Sequence, residues 1–197
     1  MDVVMGSGRL VEYQKSSDSL RHAMRAATRE MHDVLDNGMA DLDLAEPEDY
    51  ARFLRFQLGA RAPIERWTRE NLPVEDRLPE QIPLLLEDLT DLGKPFSLPN
   101  RTFTLPDEAD PIGLSWVLAG SHLGNRAMLA DLQTRNTQSL PVRFLDDDRM
   151  IQFWKALKPE LEQSVSAQRL TAALSAAKAT FAFFLETMRA PGKRQAA

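Results

Sequence analysis

Apolar residues recur every three or four positions along almost the whole chain, the spacing that places them on one face of a helix. No segment alternates with the period of a strand, and no internal repeat is present. The pattern predicts a single all-α domain over 19–189, a helical bundle, with flexible segments at 1–18 and 190–197. The predicted helices begin near Leu20 and Pro47 and cover about 80–92, 111–132, 146–167 and 168–188.

Composition removes several classes of function. The 197 residues include no cysteine, which excludes disulfides, thiolate catalysis and zinc–thiolate sites. A net charge of −5 argues against non-specific nucleic-acid binding, and no apolar run approaches the ~20 residues that span a bilayer. No HExxH, Walker or dinucleotide-binding motif occurs. We expect a cytoplasmic protein that contacts neither nucleic acid nor membrane.

Two glycines four residues apart, Gly120 and Gly124, lie on one face of the predicted fourth long helix. Each costs about 1 kcal/mol relative to alanine in a helix interior, which indicates that something approaches the backbone closely. Another helix and a flat ligand both satisfy that requirement, and the pair alone does not choose between them. The same face carries Val117 and Met128, with Ser121 and Asn125 flanking it.

Only three histidines are available as metal ligands or bases. Helical phase turns His22 away from the apolar stripe of its helix and turns His122 about 200° away from Gly120, so both are interpreted as surface or structural residues. His32 lies at the margin of the apolar stripe, with Arg25 and Arg29 on the same side. An imidazole metal ligand beside two cations suits an anionic metal complex. The alternative is that His32 is a half-buried structural histidine and that the two arginines are ordinary surface residues.

Two segments resemble those of biliverdin-producing haem oxygenases. The run at 20–32 is similar to the first helix of that family, where a basic residue, Ala-Thr, a second basic residue and a histidine recur. The run at 116–125, Trp-Val-Leu-Ala-Gly-Ser-His-Leu-Gly-Asn, resembles the distal helix of its bacterial members. Weaker similarities follow in order at 144–145, Trp154 and 177–181, so the resemblance spans about 20–188.

The resemblance implies a haem oxygenase-like fold and a set of roles. His32 would be the proximal ligand of the haem iron, with Thr28 inside the same motif. Arg25 and Arg29, with Lys155 as a third cation, would lie near the haem propionates. Gly120 and Gly124 would form the distal wall, with Val117, Met128, Ser121 and Asn125 around it.

The implied reaction is oxidative cleavage of haem to biliverdin, iron and carbon monoxide, with haem as both substrate and cofactor. Since the chain has no flavin or iron–sulfur motif, electrons would come from an external donor of the ferredoxin or reductase type. Iron acquisition and supply of a phytochrome chromophore are both roles of such bacterial enzymes.

Two departures from the family pattern support a second hypothesis. Ala119 replaces a usual glutamate, and Asn125 replaces a glycine or alanine and adds an amide near the distal pocket. A haem- or bilin-binding protein of the same fold without turnover is therefore the alternative. A structural or interaction protein that keeps only the fold is the third hypothesis.

Overall fold

Six α-helices and one short 3₁₀ helix form the part of the chain described by a computed structural model, residues 19–135 and 140–190. This confirms the predicted all-α fold class, and the described residues contain no strand. The predicted flexible segment 1–18 and residues 191–197 lie outside the described ranges. The helices are α1 (Leu20–Met39), α2 (Pro47–Asn71), the 3₁₀ helix (Val74–Asp76), α3 (Ile82–Asp91), α4 (Ile112–Thr134), α5 (Asp148–Leu161) and α6 (Ala167–Arg189).

Local chemistry sets the helix starts. Ser19 caps α1 by accepting a hydrogen bond from the His22 amide at 3.3 Å, and Ser166 caps α6 through the Arg169 amide at 3.2 Å. Such caps satisfy amides that have no partner within the helix. Pro47 begins α2, where its missing N–H costs nothing. No helix among the described residues is long and apolar enough to cross a membrane.

Helix α6 is the platform on which the bundle is built. Helices α1 and α4 each pack along it, and α2 crosses it more briefly. Gly113 of α4 lies so close to α6 that a Cβ added there would stand 2.1 Å from the Ala173 carbonyl oxygen and 2.8 Å from the Ala177 nitrogen. The main apolar cluster forms around this contact and includes Met24, Leu114, Leu118, Trp154 and Phe181.

A second apolar cluster joins α2 and α3 to the segment before α5. Tyr50 and Phe144 are both fully buried in it, and the Tyr50 hydroxyl donates to the Pro141 carbonyl at 2.9 Å. The buried carboxylate of Asp88 accepts from the Phe144 amide at 2.9 Å. These bonds hold 141–145 against α3, and thereby place Phe144 beneath α4.

Helix α2 extends through Pro63, although a proline in a helix interior removes one backbone hydrogen bond. The observed bounds correct the sequence prediction in one place. The last two helices are separated by residues 162–166, because α5 ends at Leu161 and a new cap at Ser166 starts α6. The loop predicted at 94–110 contains no helix.

Candidate functional site

His32 projects from α1 with 58% of its side chain exposed, more than its position at the edge of the apolar stripe predicts. Its Nδ1 lies 2.9 Å from Oδ2 of Asp36, one turn further along the helix. Because a carboxylate only accepts hydrogen bonds, the proton of this contact belongs to Nδ1, which leaves Nε2 as the nitrogen that can bind a metal. That is the arrangement in which a carboxylate orients a metal-ligating histidine. Sequence reasoning overlooked Asp36, although its i+4 spacing from His32 was visible.

Arg25 and Arg29 are both exposed on the side of α1 that carries His32. The nearest carboxylate to Arg29 is Asp33, at 3.9 Å, which is too long for a hydrogen bond. Arg25 has no ion pair or hydrogen bond to any residue in 19–135 or 140–190. Two guanidinium groups beside the imidazole are therefore available to an anionic ligand.

Thr28 belongs to the core rather than to the exposed face. Its residue surface is 1% exposed, and its hydroxyl donates to the Met24 carbonyl at 2.9 Å. We therefore do not assign Thr28 a ligand contact. Thr28 therefore lies on the buried face of α1, one turn before His32.

The glycine face of α4 is open at its C-terminal half. A Cβ built on Gly124 would find no heavy atom within 4 Å, and one built on Gly120 would find only the Trp154 ring, with Cζ3 at 3.4 Å. Close helix packing, one of the two explanations of this pair, occurs at Gly113 instead. The backbone at Gly124 therefore faces open space, and the Trp154 ring borders that space at Gly120.

Phe181 of α6 connects the two walls. Its ring lies edge-on to His32, with centroids 6.0 Å apart, and edge-on to Trp116, with centroids 6.4 Å apart. Trp116 precedes Gly120 by one turn of α4, so it shares the glycine face. The three elements define what we call the α1–α4 crevice: His32 on one wall, the glycine face on the other, and Phe181 between them.

Arg61 lies wholly buried behind this wall, a position that sequence reasoning missed. Its Nη2 donates to Ser121 Oγ at 2.8 Å, its Nε donates to Gln57 Oε1 at 2.9 Å, and its guanidinium stands 5.2 Å from the Phe144 ring centroid. The Ser121 hydroxyl in turn donates to the Leu118 carbonyl at 2.8 Å. Burial lowers the pKa of Arg61 to about 10, so the group is charged at neutral pH. The only sequence signal was a single arginine among small and apolar residues at 59–64.

Asn125 and His122 face the core together. Asn125 is 4% exposed, and its Nδ2 lies 3.0 Å from His122 Nδ1. An amide nitrogen donates, so His122 Nδ1 accepts and the ring is neutral. Burial, reinforced by the charge of Arg61, lowers the pKa of His122 to about 4. The Asn125 amide expected beside the glycine face is therefore turned away from it.

The remaining predicted site residues lie in three different environments. Val117 is 7% exposed in the main apolar cluster, and Met128 packs against the second cluster. Lys155 is exposed on α5, next to the Trp154 that approaches Gly120. Within the described residues, no group of three His, Cys, Asp or Glu side chains is placed to hold a bare metal ion.

Comparison with solved structures relates the chain to a haem oxygenase. It aligns with the heme oxygenase from Neisseria meningitidis, known from crystal structures of its NO- and CO-bound forms, with a TM-score of 0.64 and 21% sequence identity. The alignment covers 87% of this chain and 90% of that one. No protein-family model and no curated protein matches the sequence. The protein therefore has the all-α haem oxygenase-like fold.

Proposed function

We propose that the protein is a haem oxygenase that binds haem in the α1–α4 crevice and cleaves it to biliverdin, iron and carbon monoxide. The observation that carries the proposal is the pair of facing walls. A carboxylate-oriented imidazole stands on one side of Phe181, and helix backbone without side chains stands on the other. A flat iron complex needs both features, one to bind the metal and one to leave room for a small ligand.

The residues present fit a haem. His32 Nε2 would bind the iron, which supplies the site for dioxygen and the redox chemistry when haem is bound. Arg25 and Arg29 would hold the two propionates by charge-assisted hydrogen bonds. Gly124 would leave the distal space open, and the Trp154 ring beside Gly120 would form its border.

The chain's own groups behind the wall keep that surface fixed. Arg61 donates to the Ser121 hydroxyl, and that hydroxyl donates to the Leu118 carbonyl, so the turn that contains Gly120 is held beside the glycine face. The Arg61 charge also places a positive field behind the glycine face. Electrons would come from an external donor of the ferredoxin or reductase type, and the product would serve iron release or chromophore supply.

A haem- or bilin-binding protein without turnover is the competing proposal, and its original support is weakened by geometry. Ala119 is fully buried, and the Asn125 amide bonds His122 in the core. Neither departure from the family pattern puts its side chain on the glycine face. We therefore favour the enzyme.

The deciding experiment is a hemin titration followed by reduction under air. The wild-type chain should give a Soret band with one hemin per chain and then convert it to a biliverdin spectrum. His32→Ala should lose the imidazole-ligated spectrum and turnover, whereas His22→Ala, an exposed histidine on the same helix, should retain both. Turnover by His32→Ala without added imidazole would overturn the ligand assignment. A stable Soret band without biliverdin in the wild type would favour the binding protein.

A further inference from the structure

A second cavity of about 410 Å³ lies on another side of α4. Ile112 and Ser115 of α4 form one wall, Phe153 and Leu157 of α5 form another, and residues around the 3₁₀ helix close the rim. Ser115 is about 140° around α4 from Gly120, and α1 contributes nothing to the lining. The volume lies within the range of small-molecule sites in proteins. This cavity is therefore separate from the α1–α4 crevice.

The inner wall of this cavity contains one hydroxyl without a partner. Ser115 is 5% exposed, and its side chain makes no hydrogen bond to any residue in 19–135 or 140–190. A helical serine commonly bonds the carbonyl four residues earlier, but here only the Ser115 backbone amide reaches the Pro111 carbonyl, at 3.0 Å. The oxygen of this hydroxyl is open to the cavity, since the enclosed side-chain atoms without a partner in the described part of the chain are Gln81 Oε1 and His122 Nε2. The Ser115 hydroxyl is thus positioned to bond a molecule inside the cavity.

The apolar part of the wall is large enough to hold a ring. Ile112 is 7% exposed, and Phe153 and Leu157 are half-buried with their free surface in the cavity lining. These side chains offer one aromatic and two aliphatic surfaces to the same space. A purely hydrophilic ligand would leave that surface unused.

The rim has an excess of negative charge. Four carboxylates, those of Glu75, Asp76, Asp110 and Glu160, face one guanidinium, that of Arg169, which leaves the lining with a net charge of −3. Arg169 is already engaged, because its Nε donates to Asp110 at 2.9 Å and its Nη2 bonds Glu160.

The two remaining carboxylates are free to bind a cation. Glu75 and Asp76 are exposed and have no ion pair within the described ranges. Arg77, the residue after Asp76, donates to the Leu72 carbonyl and does not line the cavity. The field at the rim therefore favours a cation and repels an anion.

We propose that this cavity binds a small organic cation, an amine on an aromatic or aliphatic body. The body would lie against Phe153, Leu157 and Ile112, the Ser115 hydroxyl would accept a hydrogen bond from a ligand N–H, and the rim carboxylates would neutralise the charge. The proposal does not depend on haem binding, and an anionic porphyrin is the wrong ligand for this surface.

The test uses benzylamine, with benzyl alcohol and benzoate as neutral and anionic probes of the same shape. Titrations of the full chain without hemin, so that no iron captures the amine, would be followed by ¹⁵N chemical shifts and calorimetry. Benzylamine should shift the amides of Ser115, Phe153 and Leu157 and bind at least about fivefold more tightly than benzyl alcohol, and benzoate should not bind. Equal binding of amine and alcohol, or shifts elsewhere on the chain, would overturn the proposal.

Variants test the assigned groups. The double variant Glu75→Gln/Asp76→Asn and the single variant Ser115→Ala should each weaken benzylamine about fivefold. The matched double variant Glu30→Gln/Asp41→Asn removes two exposed carboxylates elsewhere and should leave the affinity unchanged. Leu157→Trp should abolish binding by filling the cavity. If that variant does not fold, the first two still decide, because wild-type affinity in both would refute the site.

Discussion

Substitution of Gly124 distinguishes two explanations of the glycine face, namely contact with a ligand and close packing against another helix. A methyl group there would meet no heavy atom within 4 Å, so the stability of the folded apo chain should change only through helix propensity. Alanine exceeds glycine by about 1 kcal/mol in a helix interior, and a chain of this size gains about 2–4 °C in melting temperature per kcal/mol. Gly124→Ala should therefore raise the apo melting temperature by up to about 4 °C.

Gly113→Ala is the matched control on the same helix. Its new methyl would stand 2.1 Å from the Ala173 carbonyl oxygen and 2.8 Å from the Ala177 nitrogen, and both are backbone atoms that move only if α6 moves. Overpacking costs typically 1–3 kcal/mol, which exceeds or cancels the propensity gain. The apo melting temperature should fall or at best stay level.

Hemin binding should respond to Gly124 in the opposite sense. Gly124→Leu keeps a good helix former while it extends a side chain over the glycine face. If that face lies over the porphyrin, the intrusion should cost about 1–3 kcal/mol, or about 5- to 150-fold in affinity. Circular-dichroism melting without hemin and Soret titration with hemin measure both effects on one preparation. Wild-type hemin affinity in Gly124→Leu, or an apo loss like that of Gly113→Ala, would refute the reasoning.

Three further predictions follow from charged groups. The double variant Arg25→Ala/Arg29→Ala should weaken hemin binding or change the biliverdin isomer mixture, measured by titration and chromatography, with little loss of apo stability because both side chains are exposed. Arg61→Met should raise the pKa of His122, since burial and then the Arg61 charge lower it, and an imidazole NMR titration that stays near pH 4 would contradict this. Burial raises the pKa of Glu65 to about 7, whereas burial and the Arg61 charge lower the pKa of His122 to about 4. Between pH 4.5 and 6.5 the two groups therefore change the free energy of unfolding in opposite directions as the pH rises. In Glu65→Gln the free energy of unfolding should rise with pH, and in His122→Gln it should fall, each by at most about 1.4 kcal/mol per pH unit in urea unfolding. Slopes of the same sign in both variants would contradict the two pKa shifts.

Helical periodicity was sufficient for the fold class because it is a local signal. The apolar stripe of α1, Pro47 at the start of α2 and the glycine pair within α4 were all visible within a few residues of sequence. The ends of the helices were harder to predict from the sequence. The turn at 162–166 depends on the backbone of Leu20, which donates to the Gln163 carbonyl at 3.0 Å across the bundle.

The candidate site was predictable only where its contacts are local. The helical phase of α1 placed His32 and the two arginines on one side, and the spacing of Asp36, one turn after His32, could be recognised from the sequence. Arg61 was different, because its burial depends on Ser121 and Phe144, which are distant in sequence. The Asn125 amide was misplaced for the same reason, since its partner His122 is enclosed by Phe144, which lies before α5 and is distant in sequence.

The three glycines of α4 show how the crevice arises. Gly113, Gly120 and Gly124 lie within about 40° of one another around the helix, since seven residues complete almost two turns. A Cβ at Gly113 would strike the backbone of α6, the Trp116 ring lies edge-on to Phe181 of α6, a Cβ at Gly120 would meet Trp154 of α5, and one at Gly124 would meet nothing within 4 Å. The contacts along this face therefore end before Gly124, which leaves an open wedge beside it. Helix α1, seated on the same α6, brings His32 against Phe181 in that wedge. The close contact at Gly113 and the opening at Gly124 lie at the two ends of one helix face, so a side chain at Gly113 should push α4 away from α6, whereas one at Gly124 should fill the crevice.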